Sequence, residues 1–121
     1  MKTKNEIKTQ IVEKLMVSIK NGELNLVIDL TDGFYVAGVV MSTERNQLEV
    51  VGFSTPNADI NEKEMVGNIF EEMLSNGEIG RMIESVSHSV TIIPFEGFNH
   101  RQYLYDWAYS NVNEDTDVYF L

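Results

Sequence analysis

Leu24-Asn25-Leu26-Val27-Ile28-Asp29-Leu30-Thr31-Asp32-Gly33-Phe34-Tyr35-Val36-Ala37-Gly38-Val39-Val40-Met41 is the stretch that decides the fold. Leu24, Leu26, Ile28 and Leu30 alternate with Asn25, Val27, Asp29 and Thr31, the period of a strand with one buried face. Asp32-Gly33 is a strong hairpin signal, because both residues tolerate positive φ. Phe34 to Met41 is almost wholly apolar and belongs at the centre of a sheet, and Ala37-Gly38 leaves room there for a close neighbour. A polar loop, Ser42 to Asn46, leads into a third strand over Gln47 to Phe53.

Outward from this meander, three helices share one start chemistry. Upstream, Thr3 and Glu6 form a capping box for a helix from about Asn5 to Lys20. Ile7, Ile11, Leu15 and Ile19 make its apolar stripe, with Val12 and Met16 beside them, and Asn21-Gly22 stops it. Downstream, Asn61 and Glu64 mark a second box, with Ile60 and Met65 as its staple. The second stripe runs through Val66, Ile69, Phe70 and Met73 to a stop at Asn76-Gly77, and a short helical turn follows over Glu78 to Ser85. A fourth strand is expected over about Val86 to Ile93, ended by Pro94. Asn99 then caps a last helix, with Gln102 as box partner and Phe98 with Tyr103 as staple. The tail Val118 to Leu121 is a short final strand or a docked arm. The expectation is a single α+β domain over residues 1–121, in the order α-β-β-β-α-β-α with that optional C-terminal strand. A single layer of helices would cover one face of a mostly antiparallel sheet.

The order helix, three strands, helix over residues 5–75 resembles that of double-stranded-RNA-binding domains, whose last helix starts with a lysine-rich cluster. Here that position reads Asn61-Glu62-Lys63-Glu64, which is net acidic, and RNA binding fails on charge. The same order also looks like that of small type III secretion chaperones, which carry further strands before their last helix.

With 121 residues, 43% hydrophobic and 23% charged, the chain has the composition of one folded domain. It has no cysteine, hence no disulfide framework and no thiolate metal site. No apolar run is long enough to span a membrane, and the basic N-terminus lacks the apolar stretch of a signal peptide, so a cytoplasmic location is expected. The net charge is −10: residues 1–20 carry five lysines and two acids, and residues 21–121 four bases against seventeen acids. Such a field repels phosphate backbones and anionic lipids, so direct nucleic-acid and membrane binding are not expected, the lysine-bearing first helix being the one exception left open for nucleic acid.

No catalytic, nucleotide or metal motif assembles. Asn111-x-Asn113-x-Asp115-x-Asp117 alternates oxygen ligands, but Thr116 stands where a calcium loop needs glycine, and the closing glutamate is missing. No metal and no cofactor is implied. His88 shares an expected strand face with Val86, Val90 and Ile92, while His100 and Arg101 sit in the first turn of the last helix. In that helix Tyr105 and Tyr109 lie four apart, on a face beside the core stripe of Tyr103, Leu104, Trp107 and Ala108. The leading expectation is a non-enzymatic acidic protein-binding module: an inhibitor, immunity-like factor, chaperone or adaptor, with a nucleic-acid mimic from a phage or mobile element as one concrete form. Its partner would be a basic protein, met through Tyr105 and Tyr109. A homo-oligomer is a further option, through the apolar strand and tail. The alternative is a small-molecule enzyme or ligand-binding domain with a pocket between the sheet and the last helix, using His88, Glu96, Arg101 and Tyr103.

Overall fold

The computed structural model describes residues 1–111; the expected tail strand at Val118 to Leu121 and the oxygen-ligand run beyond Asn111 lie outside the described residues. The chain runs α1 (Lys4–Lys20), β1 (Asn25–Leu30), β2 (Gly33–Ser42), β3 (Gln47–Ser54), α2 (Ile60–Ser75), α3 (Glu78–Glu84), β4 (Ile93–Pro94) and α4 (His100–Asn111). It is an α+β fold. β2 is central, antiparallel to β1 on one side and to β3 on the other. The expected order holds, with the helical turn after α2 realised as α3.

Binary pattern explains which faces are covered. Ile7, Ile11, Leu15 and Ile19 of α1 are fully buried together with Val66, Ile69, Phe70 and Met73 of α2 and Ile79 of α3. They close over Leu26, Ile28, Leu30, Ala37 and Val39 of the sheet. Each of the larger side chains among them contributes about 1.5–3 kcal/mol of burial free energy. The expected single layer is therefore a layer of three helices, and α4 adds a second layer on the reverse face. Leu104 and Ala108 of α4 pack there against Val36, flanked by Val27, Val51 and Phe53. The physical reason is the apolar run of β2, which presents greasy side chains to both faces and needs cover on both. Gly38 supplies the close approach anticipated from Ala37-Gly38: a Cβ there would stand 3.0 Å from Leu104 Cδ2 and 3.1 Å from Asn25 Oδ1.

Local chemistry placed most boundaries and missed others. Thr3 and Glu6 form the capping box of α1, and Gly22 at φ 78 follows its stop. The β1–β2 turn sits one residue earlier than Asp32-Gly33. Leu30 pairs with Gly33, so Thr31 and Asp32 make the turn, with Asp32 at φ 61. Gly33 is needed for space instead, since its Cβ would strike Thr55 Oγ1 and Ala58. The start of α2 is capped by Asp59, which accepts from the amides of Asn61 and Glu62. Asn61 is thus inside the helix, and Ile60, 69% exposed, makes no staple. Strand pairing in the region Val86 to Ile93 reaches only Ile93 and Pro94, which lie parallel to β2. β1 already holds the same side of β2 as far as Gly38, leaving a two-residue berth beside Val40 and Met41. Val86, Val90 and Ile92 still turn onto the main core from irregular backbone.

Candidate functional site

The four residues of the pocket reading are engaged in separate places. His88 is exposed and donates from Nε2 to the Ile19 carbonyl, 2.9 Å away, satisfying a C-terminal group of α1. Its expected place on an apolar strand face is not realised. Glu96 is pinned to the β2–β3 loop, accepting from the Thr43 hydroxyl at 2.7 Å, the Thr43 amide at 3.1 Å and the Ser42 hydroxyl at 3.3 Å. The Thr43 hydroxyl, then its amide, holds the Glu96 carboxyl down at about 2. Arg101 lies over the Phe53 ring at 5.4 Å. Tyr103 alone reaches the sheet–α4 interior, where its hydroxyl accepts from Asn25 Nδ2 at 2.9 Å. The cavity beside it, lined also by His100, Leu104 and Val40, measures about 20 Å³. That is room for about one water.

On α4, Leu104 and Ala108 are buried, and Trp107 is half-buried with its Nε1 donating to Glu23 at 3.2 Å. Asn99 caps the helix by accepting the Gln102 amide, and Phe98 meets Tyr103 edge-on at 5.5 Å as the expected staple. Gln102 does not close the box; its side chain donates to Asp106. Tyr105 and Tyr109 face one another at 4.8 Å with hydroxyls 3.3 Å apart, an arrangement that raises the Tyr105 phenol pKa because the protonated Tyr105 donates a hydrogen bond to Tyr109. They do not share one environment: Tyr105 packs on the α4 core, whereas Tyr109 is 57% exposed.

A larger concavity lies elsewhere. An open groove of about 990 Å³ runs between β3 and the α2–α3 pair. Leu48, Val50, Phe70 and Leu74 supply its apolar lining, and Glu49, Glu64 and Glu71 stand against one cation, Arg45. Arg45 is already paired with Glu49 at 3.3 Å. Gly67 and Gly80, inside α2 and α3, also line it, and a Cβ at either would meet none of the described residues within 4 Å. Helix-interior glycines at 67 and 80 were the one signal of this groove readable beforehand.

The basic first helix is no independent patch. Lys4 pairs with Glu72, Lys8 with Glu78 and Lys14 with Asp29, at 3.3–3.5 Å. Exposed pairs contribute little stability, but they turn much of the positive charge onto the chain's own acids. Among the described residues, no group of three or more His, Asp or Glu could hold a metal ion, and no helix is long and apolar enough to cross a membrane. The chain matches no family model, no curated protein and no solved structure.

Proposed function

We propose that this chain is a non-enzymatic acidic protein-binding module, of the inhibitor, immunity-like, chaperone or adaptor kind. The groove beside β3 is the observation that supports it. Its floor is apolar and its walls are net acidic, a pairing suited to a basic protein segment and hostile to phosphate. The enclosed space at α4 has the volume of a water, so a substrate there would have to displace Leu104 or Tyr103. In this reading Tyr109, with Tyr105 behind it, is a second contact surface, since tyrosine offers a large apolar body with a polar tip.

Immobilised protein exposed to native lysate at low and at high salt tests the reading. The expected result is a basic protein retained at low salt and released at high salt, and lost when Glu64→Lys and Glu71→Lys are introduced together. Retention of nothing at low salt would sink it, as would a captured protein indifferent to both salt and the charge reversal.

A further inference from the structure

We infer that the outer edge of β3 takes an extended, lysine- or arginine-bearing segment of a partner as an added strand; the inference rests on the protein-binding reading and gives that partner its form. The two edges of the sheet are treated differently. β1 is blunted by α1: Lys14 Nζ donates to the Val27 carbonyl at 2.7 Å, Gln10 both donates to and accepts from the backbone of Asp29, and the Asn25 amide donates to Ser18 Oγ at 3.0 Å. Residues of β2 alternate sides, with Val39 and Met41 bonding toward β1 and β4 while Phe34 bonds toward the end of β3. By the same alternation, Leu48, Val50 and Gly52 turn their amides and carbonyls away from β2. No described residue bonds them. An open strand edge is a template for another chain, and folds that do not use an edge commonly blunt it.

Three features select the occupant. Leu48 and Val50 put apolar side chains on the groove floor, which suits every second residue of an extended segment. Glu49, which alternates with Leu48 and Val50, favours cations at the residues between, and Glu64 and Glu71 on α2 add to the negative field of the groove. Gly67 fits a close approach: in a helix interior glycine is worse than alanine, and among the described residues nothing fills the space its Cβ would take. A second copy of this chain is a poor occupant, because its residues 21–121 carry seventeen acids against four bases and would meet like charge.

The probe is the peptide acetyl-Lys-Val-Lys-Val-Lys-Val-Lys-amide, titrated into the full chain with binding and amide exchange followed residue by residue. Saturable binding below millimolar peptide is expected, with exchange slowed at Leu48, Val50 and Gly52 and unchanged at Asn25 and Asp29. The glutamate-for-lysine peptide should bind at least about tenfold more weakly, a difference of about 1.4 kcal/mol. Gly67→Ala should raise the melting temperature of the free chain yet weaken the lysine peptide about tenfold. Four outcomes overturn the inference: no saturation at millimolar peptide, protection away from β3, Gly67→Ala binding like the parent chain, or β3 protection that grows with protein concentration alone, which makes a second copy the occupant. Failure here alongside a salt-sensitive, Glu64/Glu71-dependent lysate partner leaves the protein-binding reading standing and removes only strand addition.

Discussion

Glu62 is a fully buried carboxylate at the start of α2, and it does work that its position in the helix does not disclose. Burial alone would raise its pKa. Hydrogen bonds from Thr31 (its amide lies 2.8 Å from Oε1) and from the Lys2 amide at 3.4 Å outweigh that and hold it below the usual carboxyl range. A lowered folded-state pKa contributes stability that is present above the ordinary carboxyl range and is lost as pH falls through the folded value. Glu96, held at about 2 by the Thr43 hydroxyl and amide, acts in the same direction. Urea melts between pH 5 and pH 2 should therefore show falling stability, with a flatter decline in Glu62→Gln, whose charge cannot titrate. Glu62→Ala, which leaves the Thr31 amide unpaired, should cost about 1–3 kcal/mol at neutral pH. An unaltered acid limb in Glu62→Gln would remove Glu62 from this account.

At the scale of elements, α4 is held by a small contact that a double-mutant cycle can isolate. Leu104→Ala should cost about 2–5 kcal/mol, as a buried leucine does. Gly38→Ala alone forces a methyl to 3.0 Å from Leu104 and should cost about 1–3 kcal/mol. Together they should cost less than their sum, because the alanine at 38 fills space that the truncated leucine vacates. Strict additivity in chemical denaturation would mean that α4 does not dock as described. The legibility of the fold divides along the same lines. α1, the three-strand meander and the staple of α4 were readable because cap, stripe and turn chemistry are local. The cap of α2 was misplaced by two residues, since Asp59 and Asn61 are both good caps. The structure favours Asp59, whose amide donates to the Thr31 carbonyl 3.2 Å away. β4 was overdrawn because the length of its berth depends on where β1 begins, opposite Gly38, which no pattern within residues 86–93 records. The groove, assembled from β3, α2 and α3, left only its two glycines as a trace.

Across the whole molecule, the capped and the open edge together govern how copies of this chain can add to one another. A protein with one usable edge can at most pair edge to edge with its like and then has nothing left to extend. With two usable edges, β1 of each copy can receive β3 of the next, a head-to-tail contact that does not close on itself. Gln10 and Lys14 stand between these outcomes, because their side chains occupy the backbone groups that β1 would otherwise offer. The variant Gln10→Ala with Lys14→Ala should keep the buried stripe of α1 intact, yet grow into fibrous aggregates with rising concentration. Added salt should hasten this by screening the net negative charge, −10 in the parent chain and one unit more negative without Lys14. Light scattering and electron microscopy of parent and variant would read the difference, and a variant that stays dispersed at high salt would refute it. Two polar side chains on the first helix thus act as chain terminators against polymerisation.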